Sequence, residues 1–118
     1  MNTFDVAKDI VFLCRKYKLD FNNTKVQKLL YLIFGFALVN NITPTESIGD
    51  VRSVITEEPR AWPYGPVFPT VYERYNEIIN NIDESTYTLS VSSDATLTTI
   101  VEETVKQWGK NNATALSN

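Results

Sequence analysis

The sequence predicts a mainly α fold: a compact helical domain of four to five helices with a small β element. Three observations lead to this class. Apolar residues recur at helical spacing in four separate segments. Only two short segments alternate apolar and polar residues with the period of two that is typical of a strand. With 118 residues, of which 43% are hydrophobic, the chain has the length and composition of a single domain, which we assign to residues 1–118.

Helix one is predicted near the start of the chain. Thr3 is a residue type that caps helix N-termini, and apolar residues follow it on one helical face until about Leu19. We expect Cys14, on this face, to be a small core residue rather than a nucleophile, in keeping with a reducing cytoplasm. The face consists of Val6, Ile10, Leu13, Cys14 and Tyr17.

Helix two is predicted to be the central helix. Thr24 and Gln27 have the T-x-x-Q form of a capping box just before the apolar run 29–39, and residues 40–41 close the helix. Apolar residues occupy all faces of this run, so neighbouring elements should cover most of it. Gly35 lies in the middle, where glycine costs about 1 kcal/mol relative to alanine. The close approach of another helix would explain this glycine.

The middle of the chain is predicted to contain two strands and a third helix. Residues 51–56 alternate apolar and polar side chains weakly, and residues 85–92 do so clearly. Helix three should begin at Pro69, because proline favours the first helical position, and should continue to residues 80–81.

The last predicted helix lies close to the C-terminus. Asp94 is a suitable N-cap, and Gly109 is a suitable stop signal. Residues 111–118 then look like the start of another helix, so the chain either has a short tail or is truncated.

Residues 60–72 form the most unusual segment, with three prolines, one glycine and four aromatic residues. Each proline fixes its own φ and pushes the preceding residue toward extended backbone, so the segment can be neither a regular helix nor a central strand. We predict a stiff turn that holds Trp62 and Tyr64 at defined angles. Two interpretations are open: the rings fold back onto the domain's own core, or they contact a partner.

Residue composition excludes several classes of function. The chain has no histidine and one cysteine, which excludes Ser/His and Cys/His catalysis, His-containing zinc sites and internal disulfides. Its glycines do not form a phosphate-binding motif, and its acidic residues lie mostly in turns or on predicted helix surfaces. We therefore predict that the protein is not an enzyme and uses no cofactor or metal.

Net charge and hydropathy restrict the partners. The net charge of −3 argues against a nucleic-acid partner. The first 28 residues carry +3 and the remainder −6, which indicates either a basic surface for an acidic partner or an ordinary solvated helix face. No signal peptide is evident, and the longest apolar run is well short of the roughly 20 residues of a spanning helix. We predict a cytoplasmic protein without a membrane partner.

Two blocks of sequence carry a family resemblance. The first is NTKVQKLLY at residues 23–31, and the second is AWPYGPVFPTVY at residues 61–72. In this order they resemble the Panacea domain family, also described as SocA-like or GepA-like phage-associated proteins. With the region 105–116, the resemblance spans most of the chain. The matching positions are Lys25, Gln27, Lys28, Leu29, Leu30, Tyr31, Ala61, Trp62, Tyr64, Gly65, Pro66, Val67 and Tyr72.

The resemblance implies an antitoxin-like protein that binds a toxin and neutralises it by direct contact. Two alternatives are a phage-encoded inhibitor of a host defence protein and an adaptor that delivers a toxin to a Clp-type protease. Host or phage origin and the identity of the partner are left open. Members of the family often continue past the position of Leu116, so residues 1–118 would be a Panacea domain without that tail.

A partner-binding surface follows from these blocks. Leu29, Leu30 and Val67 are expected in the core, and the starts of helix two and helix three are expected on one side of the domain. The low net charge and the tyrosine-rich surface also leave a homodimer open. The predicted partner-binding residues are Trp62, Tyr64, Gly65, Pro66, Tyr72, Lys25 and Lys28.

Overall fold

Five helices and one pair of short strands form the part of the chain that the structure describes. The computed structural model describes residues 3–39, 60–62 and 65–110. The radius of gyration is 13.1 Å, close to the roughly 13 Å expected for a compact chain of this length. The chain is therefore mainly helical and compact, as predicted. In chain order the elements are α1 (Thr3–Lys16), α2 (Asn23–Val39), β1 (Arg60–Trp62), β2 (Gly65–Val67), α3 (Pro69–Glu73), α4 (Tyr75–Asn80) and α5 (Ala95–Trp108).

The core lies between α1, α2 and α5. α2 packs against α1, α5, β2 and α3, which confirms its predicted central position. Leu29 and Leu30 are fully buried, as predicted, and each contributes about 1.5–3 kcal/mol by leaving water. The buried apolar side chains of the three long helices are Val6, Ala7, Ile10, Val11, Leu13, Cys14, Val26, Leu29, Leu30, Ile33, Ala37, Leu97, Val101 and Val105.

α1 ends at Lys16, before the predicted end at Leu19. The backbone N–H of Leu19 donates to the carbonyl of Cys14 at 2.8 Å, and that of Lys18 donates to the carbonyl of Arg15 at 3.1 Å. These two bonds form a Schellman motif, which stops the helix by turning one residue into the left-handed region. That residue is Lys18, with φ of 57°.

Two predictions about α2 are wrong. The capping box does not form, because the cap is Asn22: its side-chain Oδ1 accepts the backbone N–H of Lys25 at 2.8 Å. Gln27 makes a long-range bond instead. The close approach expected at Gly35 is also not seen, since no described atom lies within 4 Å of a Cβ built on this residue.

Helix three begins at Pro69 as predicted, but it is divided into α3 and α4. The division is at Arg74, whose φ of −104° and ψ of 19° lie outside the helical range. The Arg74 guanidinium lies 4.2 Å from the centroid of the Phe4 ring of α1 and bonds both carboxylate oxygens of Glu77 at 2.9 and 2.8 Å. Arg74, where the helix is divided, thus contacts both α1 and α4.

The strand predicted at residues 85–92 is wrong, because this segment consists of turns and irregular backbone. Its alternation has a different cause: Val91 is buried and Tyr87 and Leu89 are half-buried, so alternate side chains reach the core without a strand partner. The other predicted strand, at residues 51–56, lies outside the described residues. The short strands β1 and β2 lie instead in the segment for which a stiff turn was predicted.

α5 has both predicted boundaries. The side chain of Asp94 accepts the backbone N–H of Leu97 at 2.8 Å, and the helix ends at Trp108 before Gly109. Gly109 is buried, and a Cβ built on it would lie 2.9 Å from Cδ1 of Leu19. The same Cβ would overlap the backbone carbonyl oxygen of Val105, which cannot move aside as a side-chain end can, so glycine is needed at the end of α5.

Candidate partner-binding surface

Two hydrogen bonds join the start of α2 to the start of α3. The side-chain Oε1 of Gln27 accepts the backbone N–H of Phe68 at 2.6 Å, across 41 positions of sequence. The side-chain Nδ2 of Asn23 donates to the backbone carbonyl of Tyr72 at 2.9 Å, across 49 positions. The starts of these two helices therefore lie next to each other, on one side of the domain, as expected. We call the surface formed by residues 23–31, β1, β2 and α3 the hairpin face.

The strands β1 and β2 form a two-stranded antiparallel pair. Arg60 pairs with Val67, Ala61 with Pro66, and Trp62 with Gly65. A proline has no N–H to donate, so it is tolerated only where a strand has a free edge, as both strands of a two-stranded sheet have. Gly65 and Pro66, two predicted partner-binding residues, thus have defined backbone positions. The Trp62 side chain, the Val67 side chain and all of Tyr64 lie outside the described residues, and so do the predictions made for them.

Phe68 connects β2 to the core. Its side chain is fully buried, and its backbone is extended, with φ of −97° and ψ of 101°. Pro69 follows in the first helical position, where it needs no hydrogen-bond donor. The buried ring and the N–H that bonds Gln27 both belong to Phe68, so the C-terminal end of β2 is held at this residue.

Gln27 has a role that the sequence analysis missed. The side chain is only 2% exposed, and its Nε2 also donates to Oδ1 of Asn23 at 3.4 Å. A buried backbone N–H without an acceptor costs about 1–3 kcal/mol, and Gln27 removes this cost at Phe68. The one local signal was an amide side chain directly beside an apolar run, which we attributed to a cap.

Lys25 and Lys28, two of the predicted partner-binding residues, are buried. They are 5% and 4% exposed. The Lys25 ammonium donates to the backbone carbonyl of Asp20 at 2.6 Å, which ties the start of α2 to the preceding loop. Burial lowers the pKa of the Lys28 amine. Both lysines therefore support the hairpin face from inside, and their charges are held away from water.

Among the side chains of the hairpin face that the structure describes, Tyr31 and Tyr72 are large and exposed. Tyr31 is 45% exposed on α2, and Tyr72, a predicted partner-binding residue, is 42% exposed on α3. Each lies on an element that is anchored by the bonds from Gln27 and Asn23. Their rings are therefore carried by backbone that is already fixed in place.

A second polar cluster, also missed from the sequence, surrounds Asp9 in the middle of α1. Asp9 is fully buried, and its carboxylate accepts bonds from the Ser90 backbone N–H at 2.9 Å, the Ser90 hydroxyl at 2.7 Å and the Tyr87 hydroxyl. Burial raises the pKa of Asp9, against the opposing effect of these bonds. The cluster fastens residues 87–90 to α1. Its signal was the position of Asp9 between Val6 and Leu13 on an apolar face.

Comparisons with protein-family models, curated proteins and solved structures found no match for this chain. Within residues 3–39, 60–62 and 65–110, no helix is long and apolar enough to cross a membrane. The same part of the chain holds no group of three or more histidine, cysteine or acidic side chains arranged to bind a metal. The geometry of the hairpin face is thus the basis for a functional proposal.

Proposed function

We propose that this chain is an antitoxin-like binding module that neutralises a toxin in the cytoplasm by direct protein contact through the hairpin face. One observation carries the proposal. The two sequence blocks that resemble the Panacea family, residues 23–31 and 61–72, are joined by the bonds of Gln27 to Phe68 and of Asn23 to Tyr72. A binding surface assembled from both blocks would explain why they occur together.

The physical properties of the hairpin face suit protein recognition. Tyr31 and Tyr72 offer amphipathic rings, and tyrosine is enriched at protein interfaces because its ring packs while its hydroxyl stays hydrated. The elements that carry these rings are anchored before any partner arrives. Less conformational entropy is then lost on binding, which favours affinity.

The one cysteine supports a binding role over a nucleophilic one. Cys14 is fully buried in the core, and burial raises its pKa to about 11. The reactive species of a cysteine is the thiolate, which is scarce at neutral pH when the pKa is this high. Cys14 therefore acts as a small apolar residue of α1.

Growth rescue tests the proposal. The reading frame adjacent to the gene for this chain would be expressed from an inducible promoter, alone and together with this chain. We expect the protein encoded by this adjacent reading frame to arrest growth when it is expressed alone. Co-expression with this chain should restore growth, and the two proteins should copurify. Tyr72→Ala should weaken both rescue and copurification, whereas Ser92→Ala, an exposed change outside both blocks, should leave them intact.

The same cells distinguish the mechanisms. Neutralisation by contact leaves the amount of the toxic protein unchanged, whereas delivery to a protease lowers it. The proposal would be contradicted if the protein encoded by the adjacent reading frame does not arrest growth, or if growth is restored although the two proteins form no complex.

A further inference from the structure

Four exposed lysines meet where α1 and α5 end. Lys16 and Lys18 lie at the end of α1, and Lys106 and Lys110 at the end of α5. We call these four residues the lysine cluster.

Lysines from both helix ends contact the ring of Tyr17. The Lys16 ammonium is 5.8 Å from the ring centroid, and the Lys106 ammonium is 5.5 Å from it. Two positive charges from distant parts of the sequence are thus held around one aromatic ring. Such contacts are weakly attractive and leave both charges available to solvent.

The other two lysines flank a second contact between the same helix ends. A Cβ built on Gly109 would lie 2.9 Å from Cδ1 of Leu19, so these two residues are in close approach. Lys18 precedes Leu19, and Lys110 follows Gly109. The lysine cluster therefore occupies one end of the domain.

None of the four cluster lysines forms an ion pair in the described part of the chain, although Glu84 lines the same pocket as Lys16. The ion pairs of Arg15 with Glu84 and of Arg74 with Glu77 do not involve the four lysines. Acidic residues occur nearby in sequence, namely Asp20 after α1 and Glu102 and Glu103 within α5, but none of their oxygens lies within 4.0 Å of a cluster ammonium.

Helix chemistry explains only part of the cluster. A cation in the last turn of a helix interacts favourably with the helix dipole, which is sufficient reason for Lys16 and Lys106. It does not explain Lys18, the one non-glycine residue with positive φ in the described chain. This is the position of a Schellman motif that glycine favours, so lysine is held there at a cost in stability.

We infer that the lysine cluster is a docking site for an acidic peptide segment of a partner protein. Charge complementarity identifies the occupant: the cluster is a local concentration of positive charge on a protein whose net charge is −3. Four lysines provide few positive charges, and a short acidic segment is sufficient to pair with them. A long polyanion such as duplex nucleic acid would also meet the negative remainder of the surface. The inference goes beyond the proposed function, since it does not require the partner to be a toxin.

Fluorescence anisotropy with a labelled octaglutamate peptide tests the inference. The wild-type protein should bind the peptide at 20 mM salt and more weakly at 150 mM, because salt screens exposed charges. Lys16→Gln and Lys106→Gln should each weaken binding roughly two- to fivefold, the range for exposed ion pairs. Lys8→Gln, a change of the same kind on α1 outside the cluster, should leave it unchanged.

Lys18→Gly separates binding from folding. Glycine suits the left-handed backbone, so this variant should melt at a higher temperature than the wild type and yet bind octaglutamate more weakly. The inference is overturned if octaglutamate fails to bind at low salt, if Lys8→Gln weakens binding as much as Lys16→Gln, or if Lys18→Gly binds like the wild type. Tighter binding of an eight-nucleotide oligothymidine than of octaglutamate would also overturn it.

Discussion

Replacing Gln27 with methionine tests the anchoring of the hairpin face. Methionine has nearly the volume of glutamine, so the change removes the hydrogen-bonding groups with little loss of packing. The buried backbone N–H of Phe68 then loses its acceptor, which is now 2.6 Å away. An orphaned buried donor costs about 1–3 kcal/mol, and we expect the free energy of unfolding to fall by this amount.

Two measurements check this expectation. Urea unfolding followed by circular dichroism gives the change in stability, and amide hydrogen exchange reports the Phe68 N–H directly, which should exchange faster in Gln27→Met. Asn23→Ala is the matched control, because its bond to Tyr72 is exposed and should be worth no more than about 1 kcal/mol. Unchanged stability together with a still protected Phe68 amide in Gln27→Met would refute the reasoning.

Three further predictions concern residues within the helices. Gly35→Ala should raise the free energy of unfolding by up to about 1 kcal/mol in urea titrations, since alanine favours helix and no described atom lies within 4 Å of the new Cβ; a loss of stability would contradict this. The raised pKa of Asp9 means that the folded state holds this proton to a higher pH than the unfolded chain, so the destabilisation that the Asp9 carboxylate contributes at pH 7 should decrease as the pH falls toward 4. The free energy of unfolding of Asp9→Asn, taken relative to that of the wild type, should therefore be highest at pH 7 and decrease toward pH 4; a difference independent of pH would contradict this. Lys25→Glu with Lys28→Glu should unfold the domain, as seen by circular dichroism, because both side chains are buried; a folded, stable double variant would contradict the burial argument.

The features that the sequence predicts correctly depend on local patterns. The start of helix three at Pro69 and the cap at Asp94 require only neighbouring residues, and apolar periodicity is sufficient to place Leu29 and Leu30 in the core. The central position of α2 follows from an apolar run that leaves no polar face.

The features that the sequence does not predict depend on distant contacts. Gln27 looks like a capping residue until Phe68 is placed against it. Lys25 looks exposed because nothing in its own segment shows that its ammonium reaches the carbonyl of Asp20. The alternation at 85–92 arises because Asp9 holds an irregular segment against the core, and a period of two cannot distinguish this from a strand.

The dissociation rate of a purified complex between this chain and its partner tests the central claim most directly. If the hairpin face binds the partner, Tyr72→Ala and Trp62→Ala should each accelerate dissociation, by about 30-fold for an anchor worth about 2 kcal/mol. Ser92→Ala should dissociate at the wild-type rate, and the melting temperature of Tyr72→Ala should stay close to that of the wild type because Tyr72 is exposed. The claim would be contradicted if folded Tyr72→Ala and Trp62→Ala dissociate from the partner at the wild-type rate. In that case Trp62→Ala would lower only the melting temperature.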